Sequence, residues 1–247
     1  MVIDNSFLKK HLVDLVHSGV CLEGALATRS QVEDILERKS VNLSSKTVKI
    51  VQNISLAFRC ISPNKIGSYN SPNTLQSLHL ILSDSVEDFA KETSYRGKFR
   101  DFPVEIGGTS YQPPTCSPDV SYRRLSSLLS TVDGSINSIL IAYCYLMKYQ
   151  FFANTNKRTA YAWVNLALCQ CNTGYLLYLP TRQEGMKRFT DYLLAFYESD
   201  KRVRQLCSLS EKILLSGGLR VCLLATTLRK FRKELANELN ANGNQLT

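Results

Sequence analysis

The sequence predicts an all-α bundle interrupted by one short β-hairpin, and three observations carry that prediction. Apolar residues recur at helical spacing through most of the chain, as Ile50, Ile54, Phe58 and Ile61 do, and again Phe189, Leu193 and Phe196. The run "SINSILIAYCYLMK", Ser135 to Lys148, is apolar nearly all round and so reads as a central helix buried on every side. One segment departs from the helical period: Phe102, Val104 and Ile106 alternate ahead of Gly107-Gly108, a pair able to take the positive φ of a tight turn.

Taken in order, the N-terminal part (1–62) reads as helices. His11 and His17 fall in the first, Ser30-Gln31-Val32-Glu33 has the form of a capping box, and "SVNLSSKT" is a plausible start for another. "ISPNKIGSYNSPN", Ile61 to Asn73, is rich in Pro, Asn and Gly and reads as a connection, with the next helix beginning near Thr74. The hairpin occupies Gly97 to Pro114, ends at Pro113-Pro114, and helices resume around Val120. After the central helix another is expected from Asn156 to Asn172, with Gly174 suited to the left-handed C′ position. The reading divides the chain into N-terminal helices (1–62), a core (63–200) and a C-terminal helical extension (201–247) packed on that core.

Composition narrows the classes of function. At 247 residues with 44% hydrophobic content, the chain can bury a sizeable core. No apolar run approaches the roughly 18 to 20 residues of a membrane span, and "MVIDNSFLKK" lacks the form of a signal peptide, so a soluble, cytoplasmic protein is expected. Eight cysteines without a CxxC pair, and only three histidines, argue for reduced thiols and against a zinc site. The net charge of +9 favours an anionic partner: nucleotide, nucleic acid or acidic protein. The densest basic run, Leu228 to Leu239, sets Arg229, Lys230, Arg232 and Lys233 against an apolar side of Leu228, Phe231, Leu235 and Leu239. It reads as a solvated helix before it reads as a nucleic-acid stripe.

The chemistry concentrates in "QFFANTNKRTAYAW", Gln150 to Trp163. Asn154 and Thr155 are both able N-caps, and Asn156, Lys157 and Arg158 form the first turn of the helix that follows. Free backbone N–H groups, the positive end of the helix dipole and two cationic side chains meet at one point, a combination suited to phosphate. Cations are disfavoured at a helix N-terminus, and a bound polyphosphate would explain them; an ordinary capped helix with a basic first turn is the alternative.

"QFFANTNKRTA" resembles the core motif of the Fic/Doc family, His-x-Phe-x-(Asp/Glu/Asn)-Gly-Asn-(Gly/Lys)-Arg, through Phe152, Asn154, Asn156, Lys157, Arg158 and Thr159. Three further stretches are similar to family elements in the same order. "LQSLHLILSD" resembles a helix bearing a Leu-His pair. "YRGKFRDFPVEIGGTSYQPP" resembles a Gly-x-(Tyr/Phe)-Arg segment with a hairpin flap and Pro-Pro, and "HSGVCLEGALATRSQVEDIL" resembles the inhibitory-helix region. The resemblance covers about residues 18 to 178. It implies a helical bundle with a hairpin flap, and transfer of AMP from ATP, with Mg²⁺, to a hydroxyl of a target protein. It also implies phosphate contacts from Asn154, Thr155, Asn156, Lys157 and Arg158, and target docking along Val104, Glu105 and Ile106. Glu23 falls at the inhibitory position. Doc-type members can transfer a phosphate instead.

The departures bear on activity. Gln150 stands where the family has its catalytic His, and an amide cannot take a hydroxyl's proton near neutral pH. Loss of a general base costs about 10²- to 10⁴-fold in rate. Asn154 offers Mg²⁺ a neutral carbonyl oxygen instead of a carboxylate, Thr155 replaces the loop glycine, and Tyr161 replaces the second motif arginine. Glu23 therefore lacks its family partner and is expected either to contact Arg158 or to have no role. Of the histidines, His79 occupies the Leu-His position and reads as a core hydrogen-bonding residue. Three functions follow: a diverged transferase; a nucleotide-binding pseudoenzyme acting as a regulatory or interaction module; and, less favoured, a basic helical protein that binds nucleic acid.

Overall fold

The computed structural model describes residues 5–24, 27–61, 65–86 and 94–198. Eight helices form among them: α1 (Asn5–Cys21), α2 (Arg29–Leu36), α3 (Ser45–Ile61), α4 (Pro72–Leu82), α5 (Pro118–Ser130), α6 (Ile136–Tyr149), α7 (Asn156–Gln170) and α8 (Gln183–Glu198). The protein is all-helical in this part. The C-terminal extension, with the basic run from Leu228 to Leu239, lies outside the described residues.

The centre of the bundle is α7, not α6 as the apolar run suggested. From Asn156 to Leu168 every residue of α7 is buried except Lys157, and the helix packs against α6, α4 and α3. Small residues at Ala160, Ala162 and Ala167 let neighbours approach on several sides, while Tyr161, Trp163 and Leu166 fill the gaps between them. The outer side of α6, by contrast, is only half covered at Ile136, Ile141, Cys144 and Tyr145. Polar side chains lace the layers together. Asn165, fully buried, takes both the N–H and the carbonyl of Leu177, and Ser18 of α1 holds the carbonyl and N–H of Leu179. The segment before α8 is thereby hung between α1 and α7, with the backbone groups of Leu177 and Leu179 satisfied by side chains and not by a sheet.

Helix ends differ from expectation in two places. The capping box belongs to Thr28 and Gln31: the Thr28 hydroxyl accepts the Gln31 N–H at 3.2 Å, and the Gln31 side chain accepts the Thr28 N–H at 2.9 Å. Ser30 and Glu33 lie inside the helix that this box starts. At the end of α7 the left-handed C′ residue is Asn172 (φ 51°), with Asn172 N–H to Cys169 and Thr173 N–H to Leu168 closing a Schellman motif; Gly174 lies two residues further on.

The hairpin does not form: no strand pairs among the described residues. The sequence alternation survives, since Phe102, Val104 and Ile106 are half-buried while Pro103 and Glu105 are exposed, and Gly108 turns the chain at φ 85°. The return arm runs into Pro113-Pro114, which have no N–H to donate to a ladder. Arg100 closes the loop instead, donating from Nη1 to the Phe102 carbonyl at 2.6 Å and from Nη2 to the Pro114 carbonyl at 2.9 Å.

No helix among the described residues is long and apolar enough to cross a membrane. The six described cysteines are free thiols, and no group of three His, Cys, Asp or Glu side chains among the described residues is arranged to hold a metal ion.

Candidate functional site

Helix α6 ends at Gln150, whose φ of 47° turns the chain sharply, and α7 begins after Thr155, whose φ of 59° turns it again. The loop between them is held from three sides. Asn156 reaches back to Phe152, its Oδ1 accepting the Phe152 N–H at 2.9 Å and its Nδ2 donating to the Phe152 carbonyl at 2.8 Å. Both ends of that side chain are therefore spent on folding the loop. His79 of α4, 1% exposed, stacks flat on Phe152 at 4.1 Å. Its Nδ1 accepts the Gly97 N–H at 2.9 Å, so Nε2 carries the proton and donates to the Asn154 carbonyl at 3.1 Å. Burial holds this imidazole down at about 3; the Asn154 carbonyl pulls the other way, and the Arg158 and Arg96 charges add to the depression. A neutral histidine locked to two backbone groups is a clamp.

The third hold is Arg100, which is 2% exposed. Its Nε donates to the Gln150 carbonyl at 2.6 Å and its Nη2 reaches the Tyr149 carbonyl at 3.4 Å, so a guanidinium closes the C-terminal end of α6 as it also closes the loop above. Nothing in the period or composition singled out Arg100; its one sequence signal was the place it takes in Gly97-Lys98-Phe99-Arg100.

Gln150 does not point a reactive group outward. Its Nε2 donates to the Met147 carbonyl at 2.5 Å, folding the side chain onto its own helix end. Thr155 is the N-cap residue by position, yet its hydroxyl makes no capping bond and accepts from Arg158 Nη2 at 2.9 Å. Asn154 Oδ1 accepts the Thr155 N–H at 2.7 Å. Thr155 therefore gives the first-turn amides of α7 no side-chain cap, and those amides form the positive end of the helix dipole. Lys157 is half-buried in that turn. A β-branched residue at positive φ is strained, and here Thr155 takes the conformation that glycine adopts without cost.

Arg158, 5% exposed, is the junction of the site. Its Nη1 donates to the Leu82 carbonyl at the end of α4 at 3.2 Å, Nη2 goes to Thr155, and Nε lies 3.0 Å from Glu23 Oε1. That last contact is an ion pair without hydrogen-bond alignment. Glu23, whose side chain is 25% exposed, comes from the turn after α1, where Glu23 and Gly24 donate to the Val20 and Cys21 carbonyls. Of the two expectations for Glu23, the contact with Arg158 is the one formed. Tyr161, at the second arginine's position, is a core residue: 1% exposed, edge-on to Phe58 at 5.7 Å, its hydroxyl donating to the Leu15 carbonyl at 3.2 Å. Gln150, Asn154, Thr155, Asn156, Lys157 and Arg158 thus share one loop and helix start, with Glu23 joined to it, while Val104, Glu105 and Ile106 lie along the extended segment that Arg100 ties to the same loop.

No protein-family model matches the chain, and no curated protein matches it in sequence. Its fold is nonetheless that of solved Fic proteins. A Fic family protein from Desulfovibrio desulfuricans G20 superposes with a TM-score of 0.64 at 16% identity, over 98% of this chain and 68% of that one. Fic-1 from C. elegans gives 0.61 at 18% identity, over 96% of this chain and 64% of that one. A Fic domain containing signaling protein from Bacteroides thetaiotaomicron VPI-5482 gives 0.60 at 14% identity, over 92% of this chain and 86% of that one. The chain spans only about two-thirds of the first two. These relationships define a protein of the Fic fold, and at such identities they carry the fold alone.

Proposed function

We propose that this chain binds the phosphates of a nucleotide, ATP in the first instance, at the loop and helix start from Asn154 to Arg158, and that it belongs functionally with the protein adenylyltransferases while transferring AMP to protein hydroxyls slowly or not at all. The observation that carries the reading is the N-terminus of α7, which the Thr155 hydroxyl does not cap, with Lys157 and Arg158 in its first turn. Phosphate oxygens would take the first-turn amides and Lys157, and would compete with Glu23 for Arg158. Glu23 is paired with the guanidinium that a phosphate would need, so nucleotide affinity is restrained by the ion pair. Asn156 acts indirectly, by keeping the loop folded.

Chemistry is limited by Gln150, which supplies no base and is turned to the Met147 carbonyl. Without a base the chain's residues can orient and stabilise a nucleotide but cannot deprotonate a hydroxyl acceptor, which leaves a deficit of about 10²- to 10⁴-fold. His79 does not replace it: its ring is buried with both nitrogens bonded. Asn154 does not fit a Mg²⁺ ligand as it stands, because its Oδ1 already accepts a backbone N–H and carries no charge. A protein target would lie along Val104, Glu105 and Ile106, whose extended backbone has no strand partner among the described residues.

The test is calorimetric titration with ATP, ADP and CTP, with and without Mg²⁺, followed by label transfer from ATP labelled in its α-phosphate. Binding is expected in wild type, weakened in Lys157→Ala, with transfer at most faint until Gln150→His supplies a base. No binding at millimolar nucleotide, in wild type and in a Glu23→Ala variant alike, would end the proposal.

A further inference from the structure

A second feature lies beside the loop and shares only Gln150 with the nucleotide reading. A shallow recess, open to solvent, is bounded by Cys116 after the proline pair, Ser121 and Arg124 of α5, Tyr149 and Gln150 at the end of α6, and Arg100 behind them. Two of its lining residues are arginines and none is acidic. Arg100 is 2% exposed, and its hydrogen bonds go to the carbonyls of Gln150, Phe102, Pro114 and Tyr149. Carbonyls satisfy its N–H groups but leave its charge unneutralised, and no carboxylate among the described residues pairs with it. Asp119, on the first turn of α5, is exposed and outside the lining. Arg124 is half-buried at the recess, its guanidinium over the Tyr149 ring at 5.8 Å. A buried cation without a counter-charge and a second cation facing the same concavity make a site that favours negative charge.

We propose that this recess binds a small oxyanion, a phosphate or carboxylate group, held by Arg124 and the Ser121 hydroxyl in the field of the buried Arg100. Arg124 gives the charge-assisted contact, and Arg100 contributes charge without moving, because four carbonyls fix it. Lys157, Arg158 and Glu23 take no part, so the inference does not depend on whether the loop binds nucleotide.

Cys116 supplies a reporter inside the recess. The full chain is alkylated with iodoacetate (anionic) or iodoacetamide (neutral), and the Cys116 and Cys60 peptides are quantified by mass spectrometry. Taking the ratio of the two rates cancels the ionisation of each thiol and leaves the local potential. That ratio at Cys116 is expected to exceed the Cys60 ratio about tenfold, as a one-sign cleft concentrates anions. Arg124→Gln should bring it down toward the Cys60 value, and Arg124→Lys should keep it. At constant ionic strength, phosphate or acetate in place of chloride should slow both reagents at Cys116; protection by phosphate alone assigns phosphate as the ligand, and protection by acetate alone a carboxylate. Equal ratios at the two cysteines, no protection by either anion, or a Cys116 that neither reagent reaches would each overturn the proposal.

Discussion

Glu23→Ala is expected to make the protein less stable and, at once, a tighter nucleotide binder. Arg158 is 5% exposed and the Glu23 side chain 25% exposed, so the pair is largely removed from water. Breaking a fully buried ion pair costs about 3 to 5 kcal/mol. Here the cost falls to about 2 kcal/mol, since Glu23 is partly hydrated and Arg158 keeps the Leu82 carbonyl and the Thr155 hydroxyl. For a chain of this length that is a Tm lower by about 4 to 8 °C. A phosphate that must displace the carboxylate works against the same 2 kcal/mol, so its removal should tighten binding about thirtyfold. The assay is thermal denaturation of wild type, Glu23→Ala and Glu23→Gln with and without saturating ATP, with calorimetry for the affinities. Without ATP the alanine variant melts lowest; with ATP its deficit closes, and the glutamine variant, which keeps size and loses charge, falls between. A Glu23→Ala protein that melts early yet binds ATP no better than wild type would show that Glu23 is only a brace.

Acid should weaken the fold through His79. Its folded-state pKa of about 3 lies below the ordinary 6.5, so between those values the unfolded chain binds a proton that the folded chain refuses. The stability that depends on the neutral ring is complete above about pH 6.5 and falls as pH drops, by about 1.4 kcal/mol per unit. Urea unfolding at pH 7.5 and 4.5 should show a loss of about 2 to 3 kcal/mol that His79→Gln largely abolishes, and an equal loss in the variant would contradict this. His17, also lowered by burial, adds a smaller effect of the same sign that both proteins share. Tyr161→Arg, which writes the second motif arginine back into the sequence, is expected to lose several kcal/mol, because it puts a charge against Phe58 and Ile54 near Gly19. A variant that melts like wild type by circular dichroism and binds ATP more tightly would refute that.

The helical class and the position of the loop were legible in the sequence because both depend on local patterns. Apolar spacing marked α3, α6 and α8, and the Asn-Lys-Arg-Thr start marked α7. Glu23 was within reach by resemblance, but its partner was not: the two possibilities differ by where a turn after α1 sits against α7, 135 residues later in the chain, and packing alone sets that distance.

What the sequence determined by itself was the set of elements and the chemical identity of the loop: an amide where a base would stand, two cations at a helix start, and a threonine in a glycine's place. The tertiary structure decided how those groups are used. It made α7 the centre, because burial depends on how many neighbours a helix acquires and not on how apolar it is. The hairpin was replaced by a loop closed on Arg100, because a strand needs a partner that donates as well as accepts, and Pro113-Pro114 have no N–H to donate. Long-range packing also spent Asn156 on Phe152 and Arg158 on Glu23, Leu82 and Thr155, since a buried polar group must find its partners among whatever atoms the fold brings within 3 Å or so.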